Sequence, residues 1–154
     1  MSREILFKAK RKNWREIPKE EWWIEGLPIE IKEKLYISTE YDGIDDKTDF
    51  GMVQFIIQKS LIEIDPETIC QYTGLTDKND KQIWENDIVQ HVQRHAQRGA
   101  NLRVSWHTFC ASWMLSREEW MNRFFGEGVE PEDVEVIGNF FDNPELLEDS
   151  DLTD

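Results

Sequence analysis

The chain has 154 residues, of which 39% are hydrophobic and 12% aromatic, and its formal net charge is -14. This length fits one domain, and seven Trp, eight Phe and three Tyr supply enough apolar surface for a core, which excludes general disorder. No segment approaches the roughly 20 apolar residues that span a bilayer, and the N-terminus lacks the apolar stretch of a signal peptide, so we expect a cytoplasmic protein without a membrane partner.

The first part of the chain carries an alternation of apolar and polar residues that is typical of β-strands. Residues 5–9, for example, place Ile, Phe and Ala at every second position. We expect Gly26 and Pro28 to end the second strand, because neither residue favours the interior of a sheet. Residues 42–49 are acidic and contain an Asp-Gly pair, which indicates a loop. The strands predicted in this part are residues 5–9, 21–27, 34–38, 52–57 and 62–64.

The second part of the chain predicts further antiparallel strands. The apolar segments 69–73 and 82–92 flank a polar turn, which indicates a hairpin. Residues 102–107 and 109–115 predict another strand pair after a loop rich in Gln and Arg. Residues 134–140 return to the strand pattern.

Two helical elements are predicted near the C-terminal end. Ser116 and Glu119 have the spacing of a capping box, and apolar residues follow at helical spacing, so we expect a short amphipathic helix near 116–125. Asn143 is followed by Pro, a pair that is typical of a helix start, and it predicts one helical turn in residues 144–147.

These elements predict a mainly β (α+β) fold of antiparallel strands. No internal repeat and no long linker divides the chain. We expect a single domain over residues 1–147, and a division into subdomains 1–61 and 62–147 stays open. Residues 148–154 are acidic and almost free of apolar side chains, so they predict a disordered tail.

Two segments carry a family resemblance. Residues 67–89 read ETICQYTGLTDKNDKQIWENDIV, and residues 134–147 read VEVIGNFFDNPELL. Both resemble signatures of the YopX family, and the opening REILFKAK also resembles the usual beginning of that family. The resemblance implies a phage or prophage protein of mostly β structure, with an SH3-like barrel portion and a tendency to assemble. It carries no enzymatic mechanism with it.

The chain departs from the YopX pattern at two usual glycines. The usual Lys-Asn-Gly turn is Lys78-Asn79-Asp80 here, and the usual Glu-Gly-Asp is Glu85-Asn86-Asp87. Asp and Asn tolerate a positive φ better than most residues do. We therefore expect both turns to keep the backbone geometry of the family at some energetic cost.

The three histidines of the chain are candidates for metal binding. His91 and His95 are four residues apart, and with His107 they could form a three-histidine zinc site. No Cys or carboxylate follows them at ligand spacing, however, so polar surface histidines are the better interpretation. Residues 77–87 resemble a calcium loop but lack the Gly and Glu that such a loop needs. We expect no metal and no cofactor.

Catalytic motifs are also missing from the sequence. It contains no phosphate-binding loop, no dinucleotide-binding glycine pattern, no GxSxG and no HExxH. Cys70 and Cys110 fall in predicted strands among apolar residues, which indicates buried, reduced and unreactive thiols. We therefore do not expect an enzyme.

Arginine and tryptophan are interleaved within residues 88–117. Positive charge mixed with aromatic faces is the combination that binds single-stranded nucleic acid. In the alternative interpretation the tryptophans point into the core and the arginines are solvated, and the negative net charge, which repels phosphates, favours this alternative. The weak nucleic-acid candidates are Arg94, Arg98, Arg103, Trp106 and Trp113.

Charge is segregated along the chain. The segment 127–154 contains many acidic residues and no Lys or Arg, whereas residues 3–19 are rich in Lys and Arg. Contact between these segments of different copies would give a salt-sensitive oligomer, and solvated faces are the alternative.

The leading functional hypothesis is a non-catalytic phage accessory protein that acts through protein–protein interaction as a homo-oligomer, with a host or phage protein as a further partner. One alternative is a nucleic-acid-associated module that uses residues 88–117. Another is an acidic DNA mimic that inhibits a host DNA-binding protein.

Overall fold

The computed structural model describes residues 5–39, 60–91, 101–117 and 121–148. Contacts between Cα atoms divide these residues into two compact units that meet in the sequence between Gln71 and Tyr72. We refer to the described residues up to 71 as the N-terminal unit and to those from 72 onward as the C-terminal unit. Both units consist mainly of antiparallel strands, as the sequence predicts.

The N-terminal unit contains one antiparallel sheet with the spatial order β4-β3-β2-β1-β5. Its strands are β1 (Phe7–Lys10), β2 (Trp23–Ile31), β3 (Lys34–Ser38), β4 (Leu61–Glu63) and the first residues of β5 (Cys70–Thr76). Apolar side chains at alternate positions meet in a small core, as a period of two requires. The buried members of this core are Ala9, Ile24, Ile37 and Ile64.

Strand β2 continues through Gly26 and Pro28, so the prediction that it ends there is wrong. It changes neighbour at this point, because it pairs with β1 up to Gly26 and with β3 from Leu27 onward. Pro28 has no N–H to donate. It lies in the part of β2 that pairs, among the described strands, with β3 alone. Gly26 allows the close approach of β3, since a Cβ atom there would lie 2.1 Å from the Ser38 carbonyl oxygen.

The C-terminal unit begins within β5, whose later residues pair with β6 (Gln82–Trp84). Five further strands form an antiparallel sheet in the order β10-β9-β8-β7-β11. They are β7 (Asp87–His91), β8 (Asn101–His107), β9 (Ser112–Arg117), β10 (Met121–Phe124) and β11 (Val134–Asn139). The buried core of this unit consists of Ile83, Val89, Leu102, Val104, Trp113, Leu115, Val129, Val134 and Val136.

The strand predicted over residues 82–92 is divided into β6 and β7 by Glu85 and Asn86. Asn86 has a φ of 67°, a left-handed conformation that turns the chain out of the strand. The Asp87 side chain closes this turn, because its Oδ2 accepts a hydrogen bond from the Trp84 N–H at 2.9 Å. Strand β7 therefore separates from β6 and pairs with β8 and β11.

The prediction of a helix near residues 116–125 is wrong for the described residues 116–117 and 121–125, which contain the end of β9 and all of β10. Ser116 and Arg117 end β9, and β10 runs antiparallel to them, with Met121 opposite Arg117. A helix this short is marginal on its own, since isolated helices below about 12–15 residues are barely stable. Pairing with the open edge of β9 instead satisfies a row of backbone N–H and C=O groups. Residues 118–120 lie outside the described part.

A short helix, α1 (Glu145–Glu148), lies at the position of the predicted C-terminal turn. The Leu146 N–H donates to the Asn143 carbonyl at 3.1 Å, and the Leu146 carbonyl accepts from Asn101 Nδ2 at 2.8 Å. The bond from Asn101 holds α1 beside the start of β8. Gly138 permits the packing, since a Cβ atom there would lie 2.7 Å from Asn143 Oδ1.

Several predictions of the sequence stay predictions. The acidic loop 42–49, the strand 52–57, Val92 and residues 149–154 of the tail lie outside the described residues. Neither described strand order returns to its first strand, so the SH3-like barrel portion is an expectation of the family resemblance alone. Within the described ranges, no helix is long and apolar enough to cross a membrane.

Candidate interaction surface

Trp106 and Trp113 stand opposite each other near the end of the β8–β9 hairpin. Residues directly opposite on antiparallel strands point to the same face, so both continue the face on which Val104 and Leu115 are buried. The two rings meet edge to face, with centroids 5.0 Å apart and an interplanar angle of 71°. Trp113 is 7% exposed and Trp106 is 42% exposed, so this aromatic face extends from the core to the surface.

An open groove of about 410 Å³ lies beside this pair, and we call it the aromatic groove. Its walls come from β5, from the end of the β8–β9 hairpin and from the loop after β10. Most of its lining is apolar, and two of its residues also pack against the core of the C-terminal unit. The residues that define it are Leu75, Trp106, Trp113, Phe125, Glu130 and Pro131.

Residues 108–111, which we call the hairpin tip, connect β8 to β9. Phe109 on this tip is 95% exposed, an unusual position for a large aromatic side chain. The tip is ordered by its own contacts, because the Cys110 N–H donates to His107 Nδ1 at 3.2 Å. The His107 ring in turn contacts the Phe124 ring edge to face at 5.6 Å. Phe109 is therefore presented to solvent by a structured turn.

The loop after β10, which forms part of the wall of the aromatic groove, is acidic. Glu130 is the charged residue of the groove lining, and the same loop carries Glu127, Glu132 and Asp133. The loop is fixed by a hydrogen bond from the Glu130 N–H to Asp133 Oδ2 at 3.3 Å. Inside the unit, Trp113 Nε1 is buried and has no hydrogen-bond partner among the described residues.

The weak nucleic-acid candidates are only partly brought together. Arg103 donates from Nε and Nη2 to Asn86 Oδ1, and its guanidinium carbon lies 3.7 Å from the centre of the Phe140 ring. Trp113 belongs to the core, which leaves Trp106 as the accessible aromatic candidate among the described ones. Arg94 and Arg98 lie outside the described residues. A nucleic-acid surface at this position stays a prediction.

The two described histidines, His91 and His107, do not form a metal site. His91 ends β7 opposite Val134, and His107 belongs to the hairpin contacts given above. His95 lies outside the described residues. In the described part of the chain, no group of three His, Cys, Asp or Glu side chains could hold a metal ion.

The two cysteines differ in exposure. Cys70 is buried, and its Sγ donates to the Thr68 carbonyl at 3.3 Å. Cys110 is exposed, so the prediction that both thiols are buried is wrong for this residue. The reason is that β9 begins at Ser112 and not at Phe109, which leaves Cys110 on the hairpin tip.

Asp77 organises the stretch that resembles a calcium loop. Its Oδ1 accepts from the N–H groups of Asn79 and Lys81 at 2.8 Å and 3.0 Å, and its Oδ2 accepts from the Val136 N–H at 2.9 Å. Burial alone would raise the pKa of the Asp77 carboxyl, but these hydrogen bonds and the charge of Lys81 hold that pKa below its usual value. The carboxylate thus serves the β5–β6 turn and the start of β11.

Residues 12–148 match the YopX protein family. The chain belongs to the YopX family. Its structure is similar to the crystal structure of protein EF1440 from Enterococcus faecalis, with a TM-score of 0.56 and 22% identity over 95% of this chain and 99% of that chain. At this identity the similarity shows the fold alone. A search of curated proteins found no match.

The two departures from the usual YopX glycines adopt the expected backbone conformation. Asp80 has a φ of 61° and Asn86 a φ of 67°, so both are left-handed. Asn86 also joins three parts of the C-terminal unit. Its N–H donates to the Val104 carbonyl, its carbonyl accepts from the Phe140 N–H, both at 2.8 Å, and its side chain binds Arg103.

The N-terminal unit of this YopX protein contains a cluster of Lys and Trp that the sequence did not predict. Lys10 is 1% exposed, and its Nζ lies 3.9 Å from the centre of the Trp14 ring, 4.3 Å from that of Trp22 and 5.5 Å from that of Trp23. Trp14 and Trp22 meet edge to face at 4.8 Å. The ammonium group is thus enclosed by aromatic faces, an arrangement that stabilises a desolvated cation.

The neighbouring basic residues are also engaged within the unit. Arg15 lies over Trp14, with its guanidinium carbon 4.2 Å from the ring centre. Lys12 forms an ion pair with Glu63 in which Lys12 Nζ donates a hydrogen bond to Glu63 Oε1. This hydrogen bond raises the pKa of Lys12 and lowers the pKa of Glu63. The sequence feature that could have predicted this arrangement is the presence of three tryptophans within the basic segment 8–23. These internal contacts weaken the case that the segment binds the acidic end of another copy.

Proposed function

We propose that this YopX family protein is a non-catalytic protein-interaction module that self-associates, and that it serves a phage or prophage. The observation that supports this proposal best is the aromatic groove together with Phe109, which is 95% exposed beside it. Exposed aromatic side chains next to an apolar depression are typical of protein–protein interfaces.

The geometry gives less support to nucleic-acid binding. The guanidinium of Arg103 is directed to Asn86 and Phe140, and Trp113 lies in the core. The charged residue in the groove lining is Glu130, which would repel a phosphate backbone. The acidic DNA-mimic hypothesis rests on net charge without a described surface that carries it.

We further propose that the protein works in the cytoplasm of the host cell. Two free thiols, one of them exposed on the hairpin tip, suit a reducing compartment. A host or phage protein as a second partner is part of the same proposal, and affinity capture from lysogenic cells would identify it.

Sedimentation velocity across a wide range of protein concentration tests the proposed function. We expect the weight-average mass to exceed that of the 18.4 kDa chain and to rise with concentration. A species that stays monomeric at every concentration would contradict the proposed self-association.

A further inference from the structure

We propose that Phe109 of one copy inserts into the aromatic groove of a second copy, an inference that rests on the proposed self-association. The starting observation is that Phe109 is 95% exposed although it stands on a structured turn. A large rigid aromatic side chain is the residue type that most often anchors an interface when it enters a pocket of its partner.

The two parts of this interface lie at the same end of one hairpin. Phe109 belongs to the hairpin tip, and Ala111 and Ser112, which follow it, line the aromatic groove. A surface that carries both an anchor and its receptor side by side can pair with itself about a two-fold axis. Two copies can then exchange Phe109 side chains reciprocally without a change in fold.

The aromatic groove has the size and chemistry to accept a phenyl ring. Its volume is about 410 Å³. An apolar cavity of about 150 Å³ already holds benzene in another protein. Trp106 and Phe125 offer aromatic faces and edges, and offset or edge-to-face contacts with a third ring are favourable. The groove therefore leaves room for the ring and for part of the hairpin tip.

Charge favours this site over others for contact between identical chains. Each copy carries a formal net charge of -14, so most surfaces of two copies repel each other. The hairpin tip consists of Thr, Phe, Cys and Ala, and it brings no charge toward Glu130 in the lining of the groove. An uncharged anchor is what a strongly acidic chain needs for self-recognition.

The variant Phe109→Asp tests the anchor directly. The side chain is 95% exposed in the single chain, so the variant should fold and keep the melting temperature that the wild-type protein has when diluted to monomers, while its dimerisation weakens by about 30-fold or more. Ile5→Asp is the matched control, because Ile5 is 57% exposed on the N-terminal unit, and it should leave association unchanged.

The groove side is tested by Trp106→Ala, which removes an exposed aromatic wall of the groove. This variant should also lose self-association, whereas a mixture with Phe109→Asp keeps one intact anchor and one intact groove and should associate. Cys110 supplies a second readout. It is exposed on the hairpin tip, so a thiol reagent should modify it more slowly in the wild-type oligomer than in Phe109→Asp, with buried Cys70 as the internal reference.

The outcomes separate this inference from the proposed function. A wild-type oligomer that survives Phe109→Asp, or a mixture of the two variants that does not associate, would overturn the interface and leave self-association standing. A wild-type protein that is monomeric throughout would overturn both and would show that the groove does not bind a second copy.

Discussion

The guanidinium group of Arg103 donates two hydrogen bonds to Asn86 Oδ1, at 3.0 Å and 2.6 Å. Asn86 is left-handed, in a position where the YopX pattern usually has glycine. A glycine would adopt this conformation at no cost, but it has no side chain with which to accept from Arg103. The departure from the family pattern therefore adds a link between the β6–β7 turn and β8.

The first prediction concerns this link. Relief of the left-handed conformation alone would make Asn86→Gly neutral or slightly stabilising. Loss of an acceptor for a charged donor costs about 1.5–3 kcal/mol, and the conformational relief returns about 1 kcal/mol. We therefore expect Asn86→Gly to lower the free energy of unfolding by about 0.5–2 kcal/mol, as measured by urea denaturation.

Asp80→Gly is the control for that prediction. Asp80 has the same left-handed backbone and also stands at a usual glycine, but its side chain is exposed. We expect Asp80→Gly to be neutral or to stabilise by up to about 1 kcal/mol. Equal effects of the two substitutions would show that the Arg103 contact contributes nothing.

The second prediction concerns the enclosed ammonium of Lys10. We expect Lys10→Ala to lower the free energy of unfolding by about 2–4 kcal/mol, because it removes a desolvated cation–π contact and leaves a cavity. Lys19→Ala is the control, since Lys19 lies 5.7 Å from the centre of the Trp22 ring but is exposed. Its effect should stay within about 0.5 kcal/mol.

Added tetramethylammonium separates the cation–π contribution from simple packing. Aromatic enclosures recognise quaternary ammonium ions. The ion should raise the melting temperature of Lys10→Ala and leave that of the wild-type protein unchanged. If a neutral ligand of the same size, such as neopentane, rescues the variant equally well, the charge of Lys10 is not what the tryptophans stabilise.

The third prediction uses the lowered pKa of Asp77. The folded protein holds this proton less tightly than the unfolded chain, whose Asp pKa is about 3.9. The resulting stability is complete above that pH and is lost as the pH falls through the lower pKa of the folded state. We expect Asp77→Asn to cost about 2–4 kcal/mol at pH 7, and the difference from wild type to shrink below about pH 4.

Asp80→Asn is the reference for this pH series. Asp80 is exposed, so the substitution should change stability by less than about 0.5 kcal/mol at any pH. Chemical denaturation of the three proteins between neutral and acidic pH provides the measurement. A difference between Asp77→Asn and wild type that does not depend on pH would contradict the role of the Asp77 charge.

The sequence predicted those parts of the fold that depend on local pattern. Residues 34–38 have the alternation of a strand and form β3 with the same bounds. The hairpin of β8 and β9 and the helix α1 lie near their predicted positions. The left-handed turns at Asp80 and Asn86 followed from the family resemblance, which implies glycine at both positions, and from the tolerance of Asp and Asn for a positive φ.

The errors arise where tertiary contacts override local preference. Residues 121–124 have helical spacing, but the open edge of β9 provides backbone partners that a short helix lacks. Pro28 looks like a strand end, yet β2 continues because it changes neighbour there. The position of Phe109 outside β9, and with it the candidate site, depends on the strand register, which composition does not determine.

The salt dependence of self-association distinguishes an interface anchored by Phe109 from one held together by charge pairing. Charge pairing between residues 3–19 of one copy and the acidic end of another would weaken as the Debye length falls from about 10 Å at 0.1 M salt to about 3 Å at 1 M. An interface anchored by Phe109 instead gains as the repulsion between two acidic chains is screened. We predict by sedimentation velocity an oligomer at 0.1 M salt that persists or tightens at 1 M, and an oligomer that dissociates into monomers at 1 M salt would contradict this account.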